Sequence, residues 1–119
     1  GLYYIGTSGS MMTMTLNGGL KIVDEFPEIN YTECISADAN GNVAAVTTSG
    51  VLYLLNCDGI VDTVSIPQED GQFTSCSFDK NGLLYVGTSE NNYHIYEISG
   101  QTFKEKSTVS CGELYGINV

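Results

Sequence analysis

The sequence predicts an all-β protein that repeats one unit of four short strands. First, three stretches resemble one another, each running from an opening glycine to a closing glycine: 1–18, 41–59 and 82–100. Second, Val, Ile, Tyr, Thr and Leu dominate the predicted strands, and turn signals recur about every 8–12 residues. Third, no segment shows the apolar stripe of a helix, so we expect almost no helix.

The repeat is visible in its turns as well as in its strands. Asp38 and Asp79 lie three residues before the opening glycines Gly41 and Gly82, and an asparagine directly precedes each of these glycines. Asn and Gly accept positive φ and Asp bonds its own backbone, so Asp-x-Asn-Gly between apolar runs predicts a tight turn. Neither segment has the acidic ligand that ends a calcium loop, and we therefore interpret both as turns.

The predicted strands group into three units, each with four strands. The unit 30–70 contains strands 31–37, 43–48, 51–56 and 60–66. The unit 71–113 contains strands 73–79, 83–89, 93–99 and 102–109. The third unit combines 1–29 with 114–119 and contains strands 114–119, 2–8, 11–16 and 20–26. One unit is therefore split between the N- and C-termini.

Four strands in every ~40 residues is the spacing of a β-propeller blade. The runs 51–55 and 83–87 are apolar on both faces, which suits strands enclosed by neighbouring blades. The polar segment 101–109 suits an exposed edge. We predict a β-propeller segment of three four-stranded blades that forms an incomplete ring. Because such a ring exposes apolar blade faces, we expect further blades in the same chain or another copy, a homo-oligomer, to complete it.

The segment 73–99, "FTSCSFDKNGLLYVGTSENNYHIYEIS", resembles a WD-repeat unit. An apolar strand, an Asp-x-x-Gly turn, a small-residue strand and an aromatic third strand follow one another in the same order. The segment 82–100 is also similar to the pyrroloquinoline-quinone-type propeller repeat, whose strand pair begins Leu-Tyr-Val-Gly-Thr. Both resemblances imply a β-propeller, a fold that serves many functions.

Composition narrows the classes of partner. Only 4 Lys and Arg oppose 14 Asp and Glu, giving a formal net charge of −10. Nucleic acids and anionic membrane surfaces both need basic contacts, so we expect neither as a partner. The longest apolar run, Val51–Leu55, is far shorter than the ~20 residues that span a bilayer, so we expect no membrane insertion.

The cysteines and the single histidine do not form a recognisable chemical motif. Cys34, Cys76 and Cys111 occupy nearly equivalent repeat positions, and Cys57 lies in a third strand. Equivalent positions in neighbouring blades should be too far apart for a disulfide, so we expect free, buried, apolar cysteines and no metal site. His94 is expected to be a surface-facing strand residue, since no catalytic partner lies at a recognisable spacing.

Two further patterns concern acidic residues and glycosylation. The pairs Asp24-Glu25 and Glu69-Asp70 follow outer strands, and we expect solvated charges rather than an acid–base pair. Asn30-Tyr31-Thr32 is a glycosylation acceptor sequence. Together with the low Lys and Arg content it favours an extracellular or cell-surface protein, with a cytoplasmic location as the alternative.

The sequence therefore predicts a non-catalytic interaction or structural module that binds proteins and uses no cofactor. Recognition should reside in turns, because loops on a rigid scaffold carry binding residues. The candidate partner-binding residues are Ser8, Gly9, Ser10, Ser49, Gly50, Ser89, Glu90, Asn91 and Asn92. Two alternatives remain open. One is a fragment of a propeller enzyme, a quinone- or metal-dependent oxidoreductase or a lactonase-like hydrolase, with its site on other blades. The other is an intracellular WD-type scaffold.

Overall fold

The computed structural model describes residues 2–6, 9–15 and 21–110 of the chain. The chain divides into two compact units, Gly1–Thr32 and Glu33–Val119. Helical structure among the described residues is one short 3-10 turn at Gln68–Asp70, and the rest is antiparallel strands and their connections. None of the described helical structure has the length and apolarity that a membrane span requires.

The first unit contains a three-stranded sheet. Its strands, which pair in the order β1-β2-β3, are β1 (Leu2–Gly6), β2 (Met11–Thr15) and β3 (Lys21–Phe26). Leu2 pairs with Thr15, and a bulge between Thr13 and Met14 shifts the register of β2 against β3. Met11 and Ile29 are fully buried within this part of the chain.

The second unit is built from two four-stranded sheets. The first sheet consists of β4 (Thr32–Ala37), β5 (Val43–Thr47), β6 (Val51–Asn56) and β7 (Gly59–Ser65). The second consists of β8 (Phe73–Phe78), β9 (Leu84–Thr88), β10 (Asn92–Ser99) and β11 (Thr102–Ser110). In both sheets spatial order follows chain order, β4-β5-β6-β7 and β8-β9-β10-β11, which is the arrangement of a propeller blade.

The two sheets of the second unit share one hydrophobic core. Its buried members are Ala44, Val46 and Leu52 from the first sheet and Phe73, Cys76, Phe78, Leu84, Val86 and Tyr96 from the second. All five residues of β5 are buried, as expected for a strand enclosed on both faces. Burying one large apolar side chain of this kind stabilises the fold by about 1.5–3 kcal/mol.

The predicted strand bounds in the second unit agree with the observed ones to within one residue. The outer strand β11 is exposed along Lys104–Thr108, which confirms the predicted polar edge. The predicted strand 114–119 lies outside the described residues. The division of the chain into repeat units therefore stays a prediction.

The two Asp-x-Asn-Gly segments form the same turn. Asp38 Oδ1 accepts hydrogen bonds from the backbone N–H groups of Asn40, at 2.8 Å, and Asn42, at 2.9 Å. Asp79 Oδ1 accepts from the N–H groups two and four residues further on, both at 2.9 Å. The glycine of each turn has a positive φ, +87° and +83°. The carboxylates therefore organise their own turns, as predicted.

Candidate functional site

The predicted partner-binding residues of the first unit lie between β1 and β2. Ser8 is outside the described residues. Gly9 is exposed, whereas Ser10 is buried and its hydroxyl donates to Glu25 Oε1 at 3.2 Å. Glu25 itself is exposed, in line with the solvated charge expected of it, and the side chain of Asp24 is outside the described residues.

In the second unit the predicted residues lie in the turn between β5 and β6 and in the turn between β9 and β10, with Asn92 as the first residue of β10. Their exposure differs: Ser49, Ser89, Glu90 and Asn91 are exposed, Asn92 is half-buried and Gly50 is buried. Both turns contact the segment 66–72, which connects the two sheets. Ile66 N–H donates to the Gly50 carbonyl at 2.8 Å, and Ser89 N–H donates to the Gln72 carbonyl at 2.8 Å. We call residues 48–50, 66–72 and 89–92 the turn cluster.

Asp70 fixes the connecting segment to the second sheet. Its side chain is 7% exposed, and both carboxylate oxygens have partners. Asn92 Nδ2 donates to Oδ1 at 2.8 Å, and His94 Nε2 lies 2.8 Å from Oδ2. Thr88 Oγ1 donates in turn to Asn92 Oδ1 at 2.6 Å. The expectation of solvated charge is thus confirmed for the exposed Glu69 and wrong for Asp70, since a fully hydrogen-bonded carboxylate can be buried.

His94 is also buried, and the prediction of a surface-facing residue is wrong. Its Nδ1 lies 2.8 Å from Glu105 Oε2 and 2.9 Å from Thr108 Oγ1. The pairing of β10 with β11 sets His94 directly opposite Thr108, and a bulge then sets Tyr96 opposite Glu105. Because residues two apart on a strand share a face, the bulge places Glu105 on the side of the imidazole.

Burial and the neighbouring polar groups shift the pKa values of Glu105 and Tyr96. Desolvation opposes ionisation of Glu105, but hydrogen bonds from Thr108 and His94 outweigh it, so the pKa of Glu105 lies below its ordinary value. Burial, followed by the charges of Glu105 and Asp70, raises the pKa of Tyr96 to about 12. The Tyr96 ring packs on Phe103 with 5.5 Å between centroids, so the network lies against the core.

Thr108, His94 and Asp70 stand in the order hydroxyl, imidazole, carboxylate that nucleophilic hydrolases use. Glu105 Oε2, however, lies 2.7 Å from the same hydroxyl and 2.8 Å from the same ring nitrogen. The polar atoms of these four side chains therefore hydrogen-bond to one another within the protein. The arrangement therefore suits a hydrogen-bonded lock between a connecting segment and a sheet, and we call Thr88, Asn92, Asp70, His94, Glu105 and Thr108 the Asp70 lock.

A second grouping that sequence reasoning missed joins two cysteines. Cys34 Sγ donates a hydrogen bond to the carbonyl oxygen of Cys76 at 3.3 Å, so these nearly equivalent positions contact each other. That they are too far apart for a disulfide stays a prediction. The strands β4 and β8 lie side by side at this point, because Phe78 N–H donates to Ser36 Oγ at 3.0 Å. The two inner strands therefore bring nearly equivalent repeat positions, offset by one residue, into contact.

The described cysteines differ in exposure. Cys76 is buried, as predicted, Cys34 is half-buried, and Cys57 is exposed, contrary to the prediction of burial. Cys111 lies outside the described residues. Cys57 directly follows the last residue of β6, where the chain turns into β7, and this position is open to solvent.

A cavity of about 380 Å³ lies between the two Asp-x-Asn-Gly turns. Asp38 and Asp79 line it together with Lys80. Since each of these carboxylates already accepts backbone N–H groups of its own turn, both act first as turn-forming groups. The described residues contain no group of three or more His, Cys, Asp or Glu side chains that could hold a metal ion.

The glycosylation acceptor Asn30 lies in the connection between β3 and β4. Its Nδ2 donates to the Pro27 carbonyl at 3.4 Å, and the side chain is half-buried. Tyr31, the middle residue of the triplet, is 60% exposed and has a positive φ of 50°. The triplet therefore lies in an irregular connection, and its modification stays a prediction.

Comparison with known proteins identifies the fold but no family. No protein-family model matches the chain, and no curated protein matches it significantly. Among solved structures, Sqt1 from Saccharomyces cerevisiae matches with a TM-score of 0.75 and 17% identity, over 92% of this chain and 30% of that one. Sqt1 from Chaetomium thermophilum matches with a TM-score of 0.76 and 14% identity, over 92% of this chain and 32% of that one.

The β-propeller domain of Cps50 (Swd1) from Myceliophteria thermophila matches with a TM-score of 0.63 and 13% identity, over 87% of this chain and 39% of that one. These likenesses confirm the predicted fold of four-stranded propeller blades. The chain spans about a third of the length of these solved structures, between 30% and 39%.

Proposed function

We propose that this protein is a non-catalytic interaction module, a set of propeller blades that presents a rigid turn cluster to a protein partner. The observation that carries the proposal is the Asp70 lock. It ties the connecting segment 66–72 to the second sheet through hydrogen bonds that Asn92 and the buried His94 donate to the buried carboxylate of Asp70. A loop held in this way presents its exposed residues in one geometry, so less conformational entropy is lost on binding.

The exposed part of the turn cluster is polar and acidic. Glu69 and Glu90 are exposed there, as are Gln68, Ser89 and Asn91. Residues 48–50, 66–72 and 89–92 include no Lys or Arg, and the formal net charge of the chain is −10. Complementary charge steers association and selects partners. The partner best suited to this surface is therefore a basic segment of another protein.

Binding of a basic peptide library to the immobilised full-length protein tests the proposal. We expect Lys- and Arg-rich peptides to bind in a salt-sensitive manner. The charge reversals Glu69→Lys and Glu90→Lys should each weaken binding at least about threefold, since a lost close charge pair is worth on the order of 1 kcal/mol.

The control is Glu33→Lys, which changes the net charge equally at an exposed position on β4. Equal loss of binding in all three variants would show that net charge, and not the turn cluster, attracts the peptides. Unchanged binding in Glu69→Lys and Glu90→Lys would overturn the proposed surface.

We further propose that other blades, from the same chain or from a second copy, complete the ring. The support is that the chain spans only 30–39% of the propellers it resembles, and that blades need neighbours on both faces. The native mass of the purified full-length protein, measured by light scattering, tests this proposal. A stable monomer with only the blades described here would contradict it.

An extracellular or cell-surface location is the remaining part of the proposal. It rests on the acceptor triplet at Asn30 and on the low content of Lys and Arg. Glycosidase treatment of protein isolated from its native source should lower its mass, and Asn30→Gln should abolish that shift. Secreted protein without any sugar at Asn30 would remove this support, and recovery from the cytoplasm alone would refute the location.

A further inference from the structure

His94, the single histidine of the chain, lies between two carboxylates that come from different elements. Its Nε2 lies 2.8 Å from Asp70 Oδ2 in the connecting segment, and its Nδ1 lies 2.8 Å from Glu105 Oε2 on β11. The side chains of His94 and Asp70 are 6% and 7% exposed, whereas that of Glu105 is 46% exposed. Each ring nitrogen therefore faces a carboxylate oxygen at hydrogen-bond distance.

The number of protons on the ring decides whether both contacts can be hydrogen bonds. A neutral imidazole has one N–H, and its other nitrogen is an acceptor, as an ionised carboxylate oxygen is. One carboxylate would then lie 2.8 Å from a bare ring nitrogen, with no proton between two acceptors. An imidazolium has an N–H at both positions and donates to Asp70 and to Glu105 at the same time.

The hydroxyl of Thr108 cannot replace the second ring proton. Thr108 Oγ1 lies 2.9 Å from His94 Nδ1 and 2.7 Å from Glu105 Oε2, and it has one proton to donate. If that proton went to a bare Nδ1, neither the ring nor the hydroxyl would donate to Glu105 Oε2. If Nδ1 carries its own proton, both can donate to Glu105, which is the arrangement that the distances fit.

The other groups around the imidazole are uncharged. The residue paired with His94 on β9 is Val86, and the Tyr96 ring lies 6.2 Å away between centroids. Burial raises the pKa of Tyr96 to about 12, so its phenol is neutral at neutral pH. Within the described part of the chain, the charged groups in contact with His94 are thus the two carboxylates, and both favour a cation between them.

We propose that His94 is a buried imidazolium that acts as a proton-dependent latch between the connecting segment 66–72 and the outer strand β11. While both ring protons are bound, Asp70 and Glu105 are both held. When Nδ1 loses its proton to solvent, the remaining N–H stays with the buried Asp70, because that carboxylate cannot exchange it for water. Glu105, which is half exposed, turns to solvent instead.

Loss of the proton therefore loosens β11 near Glu105 and Thr108 and leaves the turn cluster in place. The bulge in the pairing of β10 with β11 lies at the same point, between the pairs of Ile95 and Tyr96. The ladder is already irregular there, so the side-chain contacts carry more of the attachment of this edge strand. The latch is separate from the proposed partner binding, because it acts on β11 and not on the exposed residues of the turn cluster.

NMR of the ring nitrogens tests the charge state directly, because one histidine gives one pair of signals. At neutral pH we expect both nitrogens to carry a proton and to have nearly equal chemical shifts, as in an imidazolium. Widely separated shifts at neutral pH would show one bare nitrogen and would overturn the proposal.

Two matched variants test whether contact with Glu105 holds the proton. Glu105→Gln should lower the midpoint of the ring titration by about 1–3 pH units, because an opposite charge in contact is lost. The control is Glu97→Gln, which removes the same charge three positions from His94 on the opposite face of β10, where Glu97 lies 3.6 Å from Lys106. Equal shifts in the two variants would show that net charge, and not the latch, holds the proton.

Amide hydrogen exchange, expressed as protection factors that correct for the intrinsic effect of pH, tests what the latch releases. As the pH rises through the ring titration, protection of the β11 amides near Glu105 and Thr108 should fall at least about tenfold, as loss of a hydrogen bond to a charged group predicts. Protection of residues 70–72 should not change. Unchanged protection of β11, or equal loosening of 70–72, would overturn the latch, and Glu105→Gln should remove the pH dependence of β11.

Discussion

Asp70 Oδ2 lies 2.8 Å from His94 Nε2, and both side chains are buried. The two residues are 24 positions apart and belong to different elements, a connecting segment and the strand β10. An ionised carboxylate only accepts hydrogen bonds, so the imidazole Nε2–H is the donor in this contact. This contact holds the connecting segment of the turn cluster in place.

Asp70→Asn should lower the free energy of unfolding by about 2–3 kcal/mol, because the imidazole loses a charged acceptor at a buried position. Urea denaturation measures the effect. The control is Glu69→Gln at the exposed neighbouring position, for which we expect a change within about 0.5 kcal/mol. Equal effects of the two substitutions would show that Asp70 contributes no more than a surface charge.

Lowering the pH should reduce the stability of the fold through protonation of Glu105. Its pKa in the folded protein is lowered, so its carboxylate contributes stability above the unfolded pKa of about 4.3, and this contribution is lost as the pH falls through the folded value. Glu105→Gln should therefore flatten the acid limb of the stability curve. Thermal denaturation between about pH 3 and pH 7 measures this, since model carboxyl groups titrate in that range.

Glu90→Gln is the control for the acid limb, since Glu90 is an exposed carboxylate in a turn. The stability of Glu90→Gln as a function of pH should run parallel to that of the wild type. If Glu105→Gln retained the full acid dependence, the carboxylates responsible would have to lie elsewhere.

Gly71→Ala should be among the most destabilising changes in the turn cluster. Gly71 has φ +74° and ψ −103°, a conformation that residues with a side chain strongly disfavour, and an added Cβ would overlap Ser89 Oγ. Gly82→Ala is a matched control, because Gly82 has φ +83° but open space around the added Cβ.

Backbone strain alone should lower the free energy of unfolding by about 1–2 kcal/mol in Gly82→Ala. In Gly71→Ala the decrease should be larger by at least about 1 kcal/mol. Chemical denaturation of the two variants gives the difference. Adding Ser89→Ala to Gly71→Ala should recover part of the loss, and no recovery would show that the overlap with Ser89 is unimportant.

The repeated turns predict similar effects at equivalent positions, with a somewhat larger cost at Asp38, whose Oδ2 also accepts from Asn42 Nδ2 at 2.9 Å. Asp38→Ala and Asp79→Ala each remove an acceptor of two backbone N–H groups, and each should cost about 1–2 kcal/mol of stability. Lys80→Ala, at an exposed position of the second turn, should change stability by less than about 0.5 kcal/mol. A large difference between the two aspartates in equilibrium unfolding would show that the turns are not energetically equivalent.

The sequence predicted the strands well and the chemical groupings poorly. Strand bounds in the second unit were predicted to within one residue because alternation, turn residues and the repeat all act over a few neighbouring positions. The sequence predicts surface positions for His94 and Asp70, because nothing near either residue in the chain indicates the partner that covers it. The bulge that brings Glu105 towards His94 has no local signature either.

The sequence by itself determined the four-stranded blade and its Asp-x-Asn-Gly turns, since backbone hydrogen bonding and local turn chemistry encode both. Only the tertiary structure decided that Asp70 is buried against His94 and that Cys34 meets Cys76 across 42 positions of the chain. The physical reason is that a side chain's partners depend on how sheets and connections pack together. That packing depends on registers and bulges that a local pattern does not specify.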